Sequence, residues 1–281
     1  LASDAGYELR AFHVPKTIDN DLVNNDHTPG FGSAARFVAC AFMGDNLDNR
    51  ALPGVKINVV MGRHAGFLTA ASTLGRSREG DGPHLVYVPE APITVEKVVD
   101  DVARVHEEQG RCLIAVSEGV HDKDGTPLAV KLAESVGAEV ERDSHGNVQL
   151  SGSGALGDFL ATAIKQNTGI SRVRADTFGY LQRCFAGVVS PSDAHEAREV
   201  GRKAAEVAML GNLDGSISIN RVSNDPYQVE YNLINLTDVA AKTRTLDPKY
   251  IINGCDITDS FKEYAMPLVG NLPVVESLRG R

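Results

Sequence analysis

The stretch Pro15-Lys16-Thr17-Ile18-Asp19-Asn20-Asp21 follows directly on the apolar run Phe12-His13-Val14. A short buried strand that ends at a proline and opens into closely spaced polar groups is typical of a ligand loop in an open α/β sheet. Asp19 and Asp21 are two residues apart, and Lys16 stands three residues before Asp19. Together such groups can hold a metal ion, take up a proton and screen a phosphate. The stretch therefore predicts an α/β fold whose chemistry lies at the end of a strand.

The acidic cluster has a second interpretation, because Asp and Asn side chains commonly do no more than satisfy the backbone of a turn. A second polar strand end follows the predicted buried strand Val55 to Val60, in the turn Met61-Gly62-Arg63-His64-Ala65-Gly66. Its glycines allow close backbone approach to a ligand, and Arg63 offers a planar fork suited to phosphate oxygens. A glycine-rich turn between strand and helix is nevertheless routine in any α/β fold.

Two more predicted strands end in residues of this kind. The strand Leu113 to Val116 leads into Ser117-Glu118-Gly119, where the glutamate is either a ligand or an ordinary turn residue. The strand that begins at Val173 leads into Arg174 to Arg183, with two arginines bracketing Gly179-Tyr180. Arginines in this setting bind phosphate or form surface ion pairs. His121, Asp122 and Asp124 are predicted to be an exposed loop, because no second ligand pair lies at metal spacing.

Composition narrows the class of protein. The chain has 281 residues, of which 42% are hydrophobic and 23% charged, as expected of a globular protein of one large domain or two α/β lobes. The net charge of -9 argues against a nucleic-acid surface. The four widely spaced cysteines form no CxxC pair, which favours a reducing cytoplasm over a zinc site or a disulfide framework. With no stretch of about 18 apolar residues and no leader, we expect neither a membrane span nor a signal peptide.

Capping residues and apolar periodicity predict the remaining elements. Ser33 is predicted to cap one helix, and Thr94 is predicted to cap another, which ends at Gly110. The other predicted helical stretches are Ala155 to Asn167, Ser192 to Leu210, Asp238 to Thr245 and the end of a helix at Leu1 to Ala5. The remaining predicted strands are Tyr7 to Val14, Leu85 to Val88, Ser216 to Asn220 and Tyr227 to Leu236. The stretch Gly254 to Arg281 is predicted to be an irregular tail because of its repeated Pro and Gly.

Residues 15–21 resemble the signature loop of the phosphofructokinases, in particular the clade with lysine after the proline, which includes the pyrophosphate-dependent enzymes. Residues 61–66 resemble the sugar-binding loop of that family, and residues 174–183 its substrate-phosphate stretch. The resemblance covers nearly the whole chain. It implies an α/β fold of two Rossmann-like three-layer lobes, the first incomplete at its N-terminus because the donor loops of the family would precede Leu1.

The same resemblance implies how the sequence divides. The donor-binding lobe would comprise residues 1–30 with 182–235. The lobe that binds fructose 6-phosphate, together with the C-terminal tail, would comprise residues 31–181 with 236–281. The reaction implied is transfer of a phosphoryl group to the 1-hydroxyl of fructose 6-phosphate, so the partners implied are that sugar and pyrophosphate or ATP, with neither nucleic acid nor membrane.

Roles for individual residues also come from the resemblance. Asp19 would be the general base, Thr17 would orient the incoming phosphate, Lys16 would neutralise charge on the donor, and Asp21 would lie near Mg²⁺. The sugar would be held by Met61, Gly62, Arg63 and Glu118, and its phosphate by Tyr180 and Arg183. Arg174 would reach the site of a neighbouring subunit, which implies a homodimer or homotetramer with shared active sites.

Several alternatives stay open at this level. Lys16 and Tyr180 favour pyrophosphate as donor, but the Gly-Gly-Asp region that separates pyrophosphate from ATP users would precede Leu1. An ATP-dependent enzyme of the same clade, a catalytically silent regulatory subunit and a sugar-binding module are the other interpretations. The arginine expected before Met61 is replaced by Lys56 as the nearest cation, and a lysine is a poorer bidentate ligand.

Overall fold

The computed structural model describes residues 4–135, 154–211 and 213–276. The strands in these ranges are β1 Phe12–His13, β2 Val55–Val60, β3 Leu85–Tyr87, β4 Cys112–Ser117, β5 Val173–Thr177, β6 Gly215–Asn224, β7 Tyr227–Ile234, β8 Ile251–Ile252 and β9 Asp256–Ile257. The α-helices are α1 Phe31–Ala51, α2 Phe67–Ala71, α3 Val95–Gln109, α4 Leu128–Ser135, α5 Ala155–Thr168, α6 Leu181–Cys184, α7 Pro191–Met209, α8 Leu236–Val239 and α9 Asp259–Val269. Short 3-10 helices lie at Ser72–Gly75, Ala186–Val188 and Pro248–Tyr250. Predictions for residues 1–3 fall outside the described residues.

A four-stranded parallel sheet, in the order β3-β4-β2-β5, forms the middle of the larger half of the molecule. Its strands are near-continuous apolar runs, as parallel strands covered on both faces are. In β4, Leu113 and Ala115 pack with α1, α2 and α9, whereas Ile114 and Val116 pack with α3 and α5 on the other face. The predicted three-layer α/β arrangement is therefore confirmed.

A second sheet has the order β1-β6-β7, with β1 parallel to β6 and β7 antiparallel to it. Helix α7 covers it through Val200 and Ala204, which pack on Ile217 and Ile219. The predicted strand from Tyr7 is much shorter in the structure, since only Phe12–His13 pairs with β6. Tyr7 and Leu9 are largely exposed, so no apolar burial draws them into the sheet.

The start of α1 differs from the prediction. The helix begins at Phe31 after Gly30, and Ser33 lies inside its first turn without capping it. The cap is Asp193 of α7, whose carboxylate accepts from the backbone N–H of Gly30 at 2.7 Å and of Ser33 at 3.0 Å. A negative charge at a helix N-terminus is stabilising because it meets the free N–H groups and the positive end of the helix dipole.

Two C-terminal predictions are wrong. The helix expected at Asp238 to Thr245 is confined to Leu236–Val239, because the residues after it run extended along the loop that follows β1. The expected tail contains α9, despite Pro267 inside it. Four apolar residues of α9 share one buried face against α1, and this burial outweighs the hydrogen bond that a proline removes; they are Phe261, Ala265, Leu268 and Val269.

In the described ranges, none of the helices combines the length and the apolar character that crossing a membrane requires.

A buried polar cluster joins the loop after β1 to α7 and the second sheet. His27 lies with Nδ1 2.7 Å from Asp26 and with Nε2 against Glu196, and both neighbours have further partners. Arg221 donates to Asp26 at 2.9 Å, and the Tyr227 hydroxyl donates to Glu196 at 2.7 Å. Burial by itself would lower the pKa of His27, but the hydrogen bonds and charges of the two carboxylates outweigh it and raise that pKa above its usual range.

This cluster predicts a pH-dependent contribution to stability. Because the pKa of His27 is raised on folding, its contribution is complete below the unfolded-state pKa of about 6.5 and is lost as the pH rises through the folded-state value. The difference in free energy of unfolding between the wild type and His27→Gln should therefore shrink from pH 6 toward pH 9, values that bracket about 6.5. Urea denaturation at several pH values measures it.

His195→Gln is the matched control, since His195 is exposed on the same helix that carries Glu196. It should leave the free energy of unfolding nearly unchanged at every pH. A His27→Gln difference that stays constant with pH would contradict the role assigned to the charged form of His27.

Candidate active site

The carboxyl ends of three strands of the larger sheet lie next to the loop that follows β1. In the larger sheet, Val60 pairs with Ser117 and Val59 with Thr177, so β2, β4 and β5 end side by side. Ligand sites in open α/β sheets form at this edge, in the loops that follow the strands. A cleft of about 580 Å³ opens there, and five of the predicted site residues line it: Lys16, Thr17, Asp19, Met61 and Arg183.

The loop that follows β1, residues 15–30, is called the acidic loop here. Its two ends are joined, because the Thr17 N–H donates to Pro29 O at 3.2 Å and the Thr28 hydroxyl donates to Thr17 O at 2.8 Å. The Asp19 N–H donates to the Thr17 hydroxyl at 3.1 Å. These bonds place Thr17 and Asp19 on one tight turn, with the exposed Lys16 beside them at the cleft.

Asp19 lies in a field of opposing charges. Burial, and next the negative charge of Asp21, raise the pKa of Asp19, while Arg63, His64 and Lys16 act in the opposite direction. The net result is a pKa above the ordinary value. These interactions also show that the acidic loop and the turn after β2 face each other. A carboxylate so placed has the higher proton affinity that a general base needs.

The turn at residues 61–66 is locked against the end of β4. Ser117 donates its hydroxyl proton to the Gly62 carbonyl, and the Glu118 N–H donates to Val60 O at 2.9 Å. At Gly119 the fit is tighter still, since a Cβ there would stand 1.9 Å from the Arg63 carbonyl oxygen. Glu118 is buried at this contact. Glycine at position 119 is therefore required for the approach of the two turns that carry Arg63 and Glu118.

The segment after β5 completes the cleft. The Arg183 guanidinium lies 4.3 Å from the centroid of the Tyr180 ring, and both side chains are exposed. Gln182 between them is buried and was not predicted as a site residue; its Oε1 accepts from the Met61 N–H at 3.2 Å and its Nε2 donates to Gly179 O at 3.0 Å. Gln182 thus ties this segment to the turn after β2. Its place directly before Arg183, in the stretch 174–183 that resembles the substrate-phosphate stretch of the family, was the only sequence feature that pointed to it.

Arg174 does not join the cleft. It stands near the start of β5, opposite Lys56 and four residues before the end of β2 at Val60, which corresponds to about 13 Å along a strand. Its side chain is exposed on the outer strand of the sheet. Lys56, the cation nearest to the position of the expected arginine, is occupied in an ion pair with Asp176 of β5.

The part of the chain that the structure describes contains no cluster of three or more His, Cys, Asp or Glu side chains able to hold a metal ion. Asp19 and Asp21 are nevertheless close enough for the charge of one to affect the other. Mg²⁺ is usually held by one or two carboxylates together with water and substrate phosphates, not by a complete protein cage. The donor set fits a magnesium ion that binds with a phosphate ligand.

The contact at Gly119 yields a prediction. Gly119→Ala should lower the free energy of unfolding by about 1–3 kcal/mol, because the added methyl group forces the turn after β2 out of place. Gly44→Ala on the exposed side of α1, where no atom lies within 4 Å of the added Cβ, should be neutral or raise stability by up to about 1 kcal/mol. Thermal and urea unfolding measure the stability of the two variants. Equal free energies of unfolding for Gly119→Ala and Gly44→Ala would contradict the close approach at Gly119.

Comparison with known proteins agrees with this geometry. The phosphofructokinase family matches residues 2–208, more than half of the chain. The pyrophosphate–fructose 6-phosphate 1-phosphotransferases of Rhodospirillum rubrum and Halomonas elongata are 59% and 36% identical to it over 96% of the chain. The chain spans less than two thirds of these relatives, 65% and 62% of their lengths.

The solved structures lead to the same family. The crystal structure of the pyrophosphate-dependent phosphofructokinase from Marinobacter aquaeolei superposes on the whole chain, and on 66% of its own, with a TM-score of 0.80 and 30% identity. The order of the motifs, the three-layer fold and the sequence matches all agree, and the chain belongs to the phosphofructokinase family.

Proposed function

We propose that the protein transfers a phosphoryl group from pyrophosphate to the 1-hydroxyl of fructose 6-phosphate, giving fructose 1,6-bisphosphate in a reversible step of glycolysis. The observation that carries the proposal is the grouping of Lys16, Thr17, Asp19 and Arg183 around one cleft. A carboxylate for the hydroxyl proton and cations for the phosphates are what phosphoryl transfer requires. The relatives from Rhodospirillum rubrum and Halomonas elongata are named for the same reaction.

On the acceptor side, Asp19 takes the proton of the 1-hydroxyl, while Thr17 orients the incoming phosphate. The raised pKa of Asp19 supports its role as general base, because a more basic carboxylate accepts the proton more readily. Lys16 extends into solvent at the cleft, where it neutralises negative charge on the donor during transfer. None of these groups forms a covalent bond with the substrate, so the protein acts by positioning and electrostatics.

The sugar lies between the turn after β2 and the segment after β5. Met61, Gly62, Arg63 and Glu118 hold its hydroxyl groups, and Tyr180 with Arg183 binds its 6-phosphate. The stacking of Arg183 on Tyr180 supports this assignment, since it presents a restrained guanidinium to the cleft. Arg174, exposed on the outer strand and distant from this cleft, serves the cleft of a neighbouring copy in a homodimer or homotetramer.

Asp21 would hold Mg²⁺ together with the phosphates of the donor, and a bound ion would supply positive charge against the transferred phosphoryl group. Asp21 lies two residues after Asp19 in the acidic loop. A 2.8 Å hydrogen bond from the Arg244 N–H to the backbone carbonyl of Asp21 holds its carboxylate in place there.

The division into lobes follows from the same assignment. The sheet of β1, β6 and β7 with α7 belongs to the donor-binding lobe, residues 1–30 with 182–235, and the rest, residues 31–181 with 236–281, binds the sugar. The packing of α9 on α1 supports the return of the chain to the second lobe. The four free thiols support a location in the reducing cytoplasm.

The test of the proposal is formation of fructose 1,6-bisphosphate from fructose 6-phosphate and Mg²⁺ by the complete gene product, with pyrophosphate and with ATP in parallel. We expect turnover with pyrophosphate. Turnover with ATP alone would support the assigned acceptor site and show that the donor is ATP. No turnover with either donor, while fructose 6-phosphate still binds, would favour a regulatory subunit.

Replacement of the base gives a separate prediction. Asp19→Asn should lower turnover by about 10²–10⁴-fold, the usual contribution of a general base, while calorimetric binding of fructose 6-phosphate persists. Asp100→Asn, on an exposed position of α3, removes the same charge away from the cleft and should leave turnover unchanged. Full turnover in Asp19→Asn would refute the role of Asp19.

A further inference from the structure

Residues 243–246, called the brace segment here, run along the acidic loop. Thr243 forms an antiparallel bridge with Leu22, and the Arg244 N–H donates to Asp21 O at 2.8 Å. The brace segment comes from a distant part of the sequence, and its residues do not line the cleft. The loop is therefore supported by backbone pairing with a segment outside the cleft.

The Arg244 side chain adds four hydrogen bonds to the same loop. Its Nε donates to Asn20 O and its Nη2 to Asn20 Oδ1, both at 2.8 Å. Nη1 donates to Asn25 O and Nη2 to Asp26 O, both at 2.7 Å. A planar guanidinium with donors in fixed directions fits this set of acceptors, whereas the single ammonium of a lysine cannot reach all of them.

Asn20, at the centre of these bonds, lies between the two carboxylates of the acidic loop. Its φ of 61° is in the left-handed region, and its side chain is fully buried. A non-glycine residue in that region persists only where its surroundings hold it. Arg244 provides that support, as does Tyr264, whose hydroxyl accepts from Asn20 Nδ2 at 2.8 Å and donates to Asp26 O at 2.7 Å.

The brace segment is also joined to the turn after β2, through the side chain of Glu90. One oxygen of Glu90, Oε1, accepts from the Leu246 N–H at 2.6 Å and from the Gly66 N–H at 3.0 Å. The Arg244 guanidinium also lies 4.9 Å from the centroid of the Phe67 ring. Leu246 is fully buried in the core between α1 and α9. The two loops that face each other across Asp19 and Arg63 thus share one support.

We infer that the brace segment sets the position of the acidic loop relative to the turn after β2, with Arg244 as the positioning residue for phosphoryl transfer. This inference rests on the proposed function. Arg244 touches neither substrate in the arrangement described above; it acts through the backbone of Asn20 and thereby directs the carboxylates of Asp19 and Asp21. Misplacement of a reacting group by about 1 Å can cost about 10²-fold in rate, so loss of the brace falls on the chemical step.

The test compares Arg244→Lys with Arg111→Lys. Arg111 also donates four hydrogen bonds, to Asn46, Asn49 and Gly80, but it lies at the amino end of β4, away from the cleft. Both variants should melt at a lower temperature. Only Arg244→Lys should lower kcat, by about 10- to 100-fold, with the KM for fructose 6-phosphate within about twofold of wild type. An unchanged kcat in Arg244→Lys would reduce Arg244 to a stabilising residue and overturn the inference.

Tyr264→Phe is a milder second variant, because it removes only the hydroxyl that contacts Asn20 and Asp26. Tyr264→Phe should also lower kcat. If Arg111→Lys lowered kcat as much as Arg244→Lys does, the inference would be overturned. Amide hydrogen exchange of peptides covering residues 17–28 provides a readout that does not need turnover. Exchange there should be faster in Arg244→Lys and unchanged in Arg111→Lys.

The two proposals fail in different ways. If the wild type turns over neither pyrophosphate nor ATP, the proposed function fails while the exchange measurement still tests the brace. If the wild type is active but exchange in residues 17–28 does not change in Arg244→Lys, the brace fails and the function stands.

Discussion

The parallel pairing of β2 with both β4 and β5 is the constraint on which the site depends. The register places Val60 beside Ser117 and Val59 beside Thr177, so three loops start at one edge of one sheet. Each loop then packs on its neighbour through main-chain contacts, as at Gly119. A slip of one residue would turn every side chain of β2 to the opposite face, and the burial of both faces prevents it.

The acidic loop comes from the other sheet, so the site also depends on how the two sheets are joined. The junction is polar: Asp193 caps α1, His27 lies between two carboxylates, and Arg244 satisfies carbonyls of the loop. Buried polar groups cost free energy unless they are paired, and here each of these has partners from a distant part of the chain. Pairing of this kind requires one relative placement of the elements and tolerates few others.

The electrostatics of the cleft differ from those of the whole chain. The protein carries a net charge of -9, which would repel phosphorylated ligands at long range. Locally, Lys16 and Arg183 line the cleft, and Arg63 with His64 acts on Asp19 from the facing turn. Under the proposed function, binding of the anionic substrates depends on these few cations at short range, where screening by salt is weaker. Arg63, His64 and Lys16 also moderate the rise in the pKa of Asp19 that burial produces.

What the sequence alone determined is local: the strands of the larger sheet, the capped helix α3, and the motifs at the strand ends, because each follows from apolar periodicity or from residues close together in the chain. The tertiary structure decided the rest. Asp193 replaced the expected Ser33 as the cap of α1, α9 formed where a tail was expected because α1 buried its apolar face, and Arg174 was separated from the cleft by the register of β5. The hydrogen bonds that Gln182 makes to Met61 and Arg244 to Asn20 became visible only when distant segments were brought together. These partners are 121 and 224 residues apart in the sequence, and hydrogen bonds over such separations leave no local pattern.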